Sequence, residues 1–197
     1  MKRPETLLPL SLLFLLLSLL PGCGYNTMQA NEEAVTAAWG NVESSYQRRA
    51  DLIPNLVEVV KGYAKHEADT LTAVTEARAK VGTMQVGKDV LNNPETLKKF
   101  QQAQGELSGA LSRLMVVVEK YPDLKANQNF MDLQKQLEGT ENRINVARER
   151  YKASVQTFNT SIRTFPNSLT NSIILHLQRK EAFKAEEGAK VAPKIKF

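Results

Sequence analysis

The 197-residue chain has one cysteine, Cys23, and two histidines, His66 and His176. A single cysteine excludes an intramolecular disulfide, a cysteine-rich zinc site and a CxxC redox pair. Two histidines leave little scope for a histidine-built metal centre, because a zinc site needs at least three protein ligands. We therefore predict that the protein holds no metal.

The chain also lacks a concentrated basic region. Its 26 basic and 21 acidic side chains are interspersed and give a formal net charge of +5, whereas a nucleic-acid binder carries a basic stripe or patch. No glycine-rich loop opens a helix after a strand, so the phosphate-cradling motifs of nucleotide-binding proteins are absent. We predict neither a nucleic-acid partner nor a cofactor.

Only one long hydrophobic run is present, and it lies at the N-terminus. Between residues 7 and 20 there are ten leucines and one phenylalanine; Lys2 and Arg3 precede the run, and Leu20-Pro21-Gly22-Cys23 follows it. A positive segment, an apolar core and a small-residue processing site describe an export signal rather than a folding unit. The pattern Leu-x-Gly-Cys resembles the bacterial lipoprotein processing box, which implies removal of residues 1–22 as a signal peptide and lipid attachment at Cys23.

Attachment by lipid predicts that the protein is held at a membrane, since two or three acyl chains make anchoring stable. By resemblance to enterobacterial sorting signals, Gly24 after the cysteine favours the periplasmic face of the outer membrane in a Gram-negative host. The inner membrane is one alternative. An uncleaved N-terminal membrane helix is another, although the apolar run covers 14 positions and a spanning helix needs about 20.

The remainder of the chain is predicted to be helical almost throughout. Apolar residues recur every three to four positions in a segment that starts at Asn93-Pro94, a typical cap and first residue of a helix, and ends before Pro122. Its stripe comprises Leu97, Phe100, Gln104, Leu107, Leu111, Leu114, Val118 and Tyr121. A second segment with this spacing runs from Phe130 to Phe165.

Two further stripes precede these, one from Val35 to Tyr46 and one from Leu56 to Val81. Pro54 lies between them and either starts a new helix or kinks a continuous one. Amphipathic segments that are marginal alone must bury their stripes against one another. We therefore predict an all-α fold, an antiparallel up-and-down four-helix bundle of long helices over residues 23–166, with a kinked three-helix bundle as the alternative. Residues 167–197 are predicted to form a short amphipathic helix and a mobile tail.

A cluster of polar residues surrounds the junction between the first two stripes: Arg48, Arg49, Asp51 and Asn55. Buried groups of this kind require hydrogen-bond partners. In the structural interpretation, Asp51 caps a helix that starts at the following proline, and Arg48 or Arg49 pairs with an acid on a facing helix, such as Glu141. In the functional interpretation, the cluster is a polar patch presented to a partner protein.

A second polar pair, His66-Glu67, begins like the HExxH zinc motif, but Thr70 occupies the place of the second histidine. We expect His66 and Glu67 to lie at or near a buried stripe and to form hydrogen bonds with neighbouring helices. The alternative is a hydrolase or cell-wall-modifying enzyme that uses these two residues or a carboxylate pair.

The same polar residues carry a resemblance to the LemA family of bacterial envelope proteins. The run from Asp51 to Val57 (DLIPNLV) is a specific match. The other matching residues cover nearly all of the chain after the signal: Tyr25, Asn26, Trp39, Arg48, Arg49, Lys61, Tyr63, His66, Glu67, Ala77, Arg78, residues 121–126, Phe130, Leu133, Gln134, Leu137, Thr140, Glu141, Ile144, Arg148, Tyr151, Asn159, Ile162, Phe165, Pro166 and residues 193–197.

The resemblance implies an antiparallel bundle of long helices held at a membrane, with no established enzymatic activity or cofactor. Two features of this chain differ from the family pattern. Family members commonly carry an N-terminal membrane helix instead of a lipid-attachment box, and they tend to have a glycine-containing apolar stretch where this chain has Leu175-His176-Leu177.

We therefore predict a non-catalytic, lipid-anchored envelope protein that serves as a scaffold or interaction module for an unidentified envelope partner. Its candidate residues are Cys23 for lipid attachment and a polar cluster of Arg48, Arg49, Asp51, Asn55, His66, Glu67 and Glu141. A third possibility is direct contact of residues 173–177 with a bilayer.

Overall fold

A computed structural model describes residues 24–84 and 89–183, so the predicted signal segment and Cys23 lie outside the described residues. The regular secondary structure in these ranges is all-α. The helices are α1 (Tyr25–Tyr63), α2 (Ala68–Gly82), α3 (Asp89–Asn92), α4 (Pro94–Val118), α5 (Pro122–Lys125), α6 (Gln128–Ser161) and α7 (Asn167–Thr170), and a π-helical turn (Asn171–Leu175) follows α7.

Helix α1 runs through Pro54 without a break and has 39 residues. Proline has no backbone N–H, so it cannot donate to the carbonyl four residues earlier, which belongs to Ala50. Arg78 of α2 replaces the missing donor, since its Nε donates to that carbonyl at 2.9 Å. A side chain from the neighbouring helix therefore pairs the carbonyl that Pro54 leaves without a backbone donor.

Of the two alternatives for Pro54, a new helix and a continuous one, the structure has the continuous helix, and the predicted cap at Asp51 is wrong. Asp51 lies inside α1, where it is exposed and accepts a hydrogen bond from the side chain of Gln47 at 2.8 Å. The helix ends at Tyr63, twelve residues after Asp51, and residues 64–67 form the turn that follows.

The predicted start of α4 is confirmed. The Asn93 side chain accepts hydrogen bonds from the backbone N–H groups of Glu95 and Thr96, and Pro94 is the first helical residue. Helix α6 begins in a similar way, because the Asn127 side chain accepts from the backbone of Phe130 at 3.1 Å. Both asparagines satisfy donors that a helix N-terminus leaves unpaired.

Two hydrophobic clusters form the core, and they occupy different lengths of the helices. One cluster is rich in aromatic residues: Met28, Val35, Ala38, Trp39, Val42, Tyr46, Val90, Leu91, Leu97, Phe100, Ile144, Ala147, Tyr151, Val155, Phe158 and Ile162. The other is mainly aliphatic: Ile53, Leu56, Val60, Ala64, Leu71, Val74, Val81, Ala103, Leu107, Ala110, Leu114, Val118, Leu124, Phe130 and Leu137. We call them the aromatic core and the aliphatic core. Helix α1 packs along α6 and contributes to both.

After the π-helical turn the chain returns along the bundle, and we call residues 177–183 the strap. The Tyr151 hydroxyl donates to the Glu181 carbonyl at 2.8 Å. The Asn159 side chain bonds both the N–H and the C=O of Lys180, each at 2.9 Å. Phe183 stacks on Trp39 with ring centroids 5.8 Å apart. The sequence predicts a mobile tail at the end of the chain, but residues 178–183 are held against the aromatic core, whereas residues 184–197 lie outside the described residues.

Candidate functional site

Arg48 and Arg49 are adjacent in sequence but lie on different faces of α1, because successive helical residues are separated by about 100°. Arg49 is buried and Arg48 is exposed. The Arg49 guanidinium donates to Glu141 Oε2 of α6 at 3.1 Å and to Ser108 Oγ of α4 at 3.0 Å. It also donates to the side chain of Gln104. The predicted pairing of an arginine with Glu141 is therefore present, and Arg49 forms it.

Arg49 lies between the two cores. On α1 the aromatic core ends at Tyr46 and the aliphatic core begins at Ile53; on α4 the same boundary falls between Phe100 and Ala103. The guanidinium lies 5.1 Å from the centre of the Tyr46 ring. Burial raises the pKa of the Tyr46 hydroxyl, although the nearby Arg148 and Arg49 cations oppose the shift. We interpret Arg49 as a structural link between α1, α4 and α6.

The remaining polar residues of the junction face solvent. Arg48, Asp51 and Asn55 are spaced by three and four positions, which places them on one face of α1, and all three are exposed. This face continues into an open groove between α1 and α6, which we call the α1–α6 groove. Its lining residues are Asn41, Ser44, Ser45, Gln47, Arg48, Asp51, Asn142, Arg143, Val146, Ala147 and Arg150.

The α1–α6 groove carries more positive than negative charge, with three guanidinium groups and one carboxylate among its lining residues. The helical neighbours of Arg143 and Arg150 at three and four positions are uncharged: Gly139, Thr140, Val146, Ala147, Ala153 and Ser154. Within residues 24–84 and 89–183, no ion pair involves either of these arginines or Arg48. Val146 lies between them and is 43% exposed. Free guanidinium forks beside an apolar surface suit the binding of carboxylates.

His66 and Glu67 lie in the turn between α1 and α2. His66 is exposed, so its expected place at a buried stripe is wrong; the helix that would have carried it there ends at Tyr63. Glu67 does contact a neighbouring segment, since it accepts a hydrogen bond from the Tyr121 hydroxyl at 3.1 Å. The turn is thus joined to the chain that follows α4.

The described part of the chain contains no group of three or more His, Cys, Asp or Glu side chains placed to hold a metal ion. None of its helices combines the length and the apolar character that crossing a membrane requires.

Comparison with known proteins identifies the family. Residues 38–197 match the model of the LemA family. The chain belongs to this family. The match begins within α1 and includes α2, α4, α6 and the strap, so the groove and the Arg49 link are parts of the LemA region.

Among the curated relatives of this LemA chain are magnetosome proteins. MamQ 2 of Paramagnetospirillum magneticum (strain AMB-1) is 28% identical over 158 residues, covering 72% of this chain and 58% of the relative. MamQ of Magnetospirillum gryphiswaldense is 27% identical over 160 residues, with the same coverage. Protein LemA of Metamycoplasma hominis is 24% identical over 164 residues, covering 82% of this chain and 69% of the relative. The chain thus spans 58% of the length of the magnetosome relatives.

Sequence reasoning missed several residues of the site. Gln104 belongs to the apolar stripe predicted for α4, and Ser108 is absent from the predicted site, yet both accept hydrogen bonds from Arg49. Arg143 and Arg150 were also missed. A usable signal was present, because they are seven residues apart on one helix face with no carboxylate at the neighbouring turns.

Proposed function

We propose that this LemA-family chain is a non-catalytic protein that is attached to an envelope membrane by lipid on Cys23 and holds partner proteins in the α1–α6 groove. Its four long helices would form an antiparallel up-and-down bundle on the periplasmic face of the outer membrane of a Gram-negative host. The observation that carries the proposal is that Arg48, Asp51 and Asn55 face solvent while Arg49 is turned inward.

The contacts of the groove support a role in binding. Arg49 has partners on two other helices, so its role in the fold accounts for its burial. In contrast, Arg48, Arg143 and Arg150 of the groove form no ion pair in the described part of the chain. Arginine is enriched at protein interfaces because its long side chain combines apolar area with a planar set of donors. The exposed Val146 provides apolar area at the centre of the groove. The magnetosome protein and Protein LemA names of its relatives support attachment to a membrane.

Crosslinking in intact cells followed by mass spectrometry tests the proposal. The variants are Arg48→Glu and Arg143→Glu in the groove, with Arg113→Glu as the control, because Arg113 is exposed on α4 away from the groove. We expect the groove variants to lose crosslinked envelope proteins that the wild type and the control retain. Equal recovery from all four chains would contradict the role of the groove.

The anchor needs a separate measurement. Radiolabelled palmitate should be incorporated into the wild type and not into Cys23→Ser. A wild-type chain that carries no label would contradict lipid attachment and leave the groove result unaffected.

A further inference from the structure

Large apolar side chains are exposed together at one end of the molecule. Phe165 is 78% exposed, Ile173 63%, Ile174 48%, and Leu169 and Tyr25 each 41%. We call these five residues the end patch. They come from the first residue of α1, the segment after α6, α7 and the π-helical turn.

The start of α1 is packed tightly against α7, which brings the two parts of the end patch together. Gly24 has a φ of +91°, and a Cβ atom at this position would lie 1.9 Å from Oδ1 of Asn167. Only glycine fits such a close approach. Gly24 directly follows Cys23 in the sequence, so a lipid on that cysteine is attached two residues before Tyr25 of the end patch.

The sequence segments that form the end patch carry charge of one sign. No aspartate or glutamate occurs between Ser161 and Lys180 or between Gly24 and Asn31. Arg163 and Arg179 are exposed and line one shallow pocket beside Thr164. Lys180 already has a partner within the fold, because its ammonium group forms an ion pair with Glu32 at 2.9 Å. Exposed apolar side chains on segments that carry arginines and no carboxylates have the composition of a surface that enters the headgroup region of an anionic bilayer.

We infer that the end patch rests on the lipid bilayer and orients the bundle on the membrane. The inference builds on the lipid anchor of the proposed function, which supplies the position of the patch relative to the membrane. Phe165, Leu169, Ile173 and Ile174 enter the interface, and Arg163 and Arg179 contact lipid phosphates. With this end on the membrane, the opposite end of α1 lies about 60 Å away along the helix axis.

Fluorescence quenching on the full-length, membrane-attached protein tests the inference. The variant Ile173→Cys is labelled with an environment-sensitive dye and reconstituted into vesicles of phosphatidylcholine and phosphatidylglycerol. Val116→Cys is the matched control, since Val116 is an aliphatic residue of α4 that is 68% exposed and does not belong to the patch. Both sites are exposed, so neither label disturbs the core.

We expect nitroxide-labelled lipids to quench the dye at residue 173 at least about threefold more strongly than at residue 116, because the patch enters the interface. Arg163→Gln with Arg179→Gln should reduce quenching at 173 in the phosphatidylglycerol vesicles. Equal quenching at the two sites would overturn the inference. So would a dye at 173 that neither nitroxide lipid nor aqueous iodide reaches, because a second copy or a partner protein would then cover the patch.

These outcomes are separable from those of the proposed function. A wild-type chain without palmitate label disproves the lipid anchor, and unchanged crosslinks disprove the role of the groove. Quenching at residue 173 reports the position of the patch in either case.

Discussion

The two ends of the molecule differ in how their surfaces are completed. At the turn between α1 and α2 and the nearby α5, polar groups bond one another: Tyr121 donates to Glu67, Asn127 donates to Tyr63, and Lys125 pairs with Glu119 at 2.6 Å. At the other end, Phe165 and Ile173 are exposed and the sequence from Ser161 to Lys180 has no carboxylate. The turn end exposes Tyr63 and Val116, whereas the other end exposes the five side chains of the end patch, which a bilayer covers in our proposal.

The interior shows the same division. The aromatic core lies towards the end patch and holds the strap, and the aliphatic core lies towards the turn. The Arg49 link separates them. Helices α1 and α6 therefore support two regions that differ in composition. Substitutions in each region test whether the regions are independent.

The largest effect is expected from Trp39→Ala in the aromatic core. Trp39 is 3% exposed and its ring contacts those of Phe100, Tyr151 and Phe183. The free energy of unfolding should fall by about 3–5 kcal/mol, as for other buried aromatic residues cut to alanine. Urea denaturation followed by circular dichroism measures it. Leu114→Ala in the aliphatic core is the comparison, and it should leave the strap in place.

Arg49→Ala should have the next largest effect, because it opens a cavity between the two cores and leaves Gln104 without its buried partner. We expect a loss of about 3 kcal/mol in urea denaturation. Arg49→Met restores most of the volume and should recover part of this loss. An Arg49→Ala variant that is as stable as the wild type would contradict the role of Arg49 in linking the two cores.

Tyr151 makes the stability of the aromatic core sensitive to alkaline pH. Burial, with a smaller contribution from the charge of Glu181, raises the pKa of the Tyr151 hydroxyl from 10.0 to about 12. Above pH 10 the unfolded chain loses this proton while the folded chain keeps it. The contribution of Tyr151 to the free energy of unfolding should therefore be constant below about pH 10 and fall as the pH rises towards 12.

The measurement is urea denaturation at several pH values for the wild type and Tyr151→Phe. The variant should show a weaker fall between pH 10 and 12. Some decrease will remain, because the pKa of Tyr46 is raised in the same direction. Identical pH profiles for the two chains would contradict the prediction.

The smallest effect is expected from Arg78→Ala, which removes the donor to the Ala50 carbonyl beside Pro54. A partly buried carbonyl left unpaired should lower the free energy of unfolding by about 1 kcal/mol. Lys80→Ala, on the same helix, removes only an exposed pair with Glu106 and should change stability by less than about 0.5 kcal/mol. An equal loss in both variants would show that Pro54 needs no support from α2.

Several features were readable from the sequence because they depend on residues close together in the chain. The cap at Asn93-Pro94 needs only the next three residues, and the apolar spacing of α4 needs only its own period. The pairing of an arginine near residue 48 with Glu141 was also predicted, because a charge near a buried stripe needs a partner.

Other features required the folded chain. Whether Pro54 ends or only interrupts a helix depended on Arg78, 24 residues further on, and on the packing of α1 along α6. The attachment of residues 178–183 depended on Asn159 and Tyr151, whose side chains bond the backbone of the strap. Neither contact leaves a local pattern in the sequence.

The sequence by itself determined that the chain is helical and where several helices begin, because helix propensity, apolar period and capping act within a few turns. It also placed Arg48 and Arg49 together at a functional or structural junction. Only the tertiary structure decided which arginine is buried and which apolar residues remain exposed beside the start of α1. Those outcomes depend on the rotation and offset of one helix against another, which are set by contacts between residues far apart in the chain.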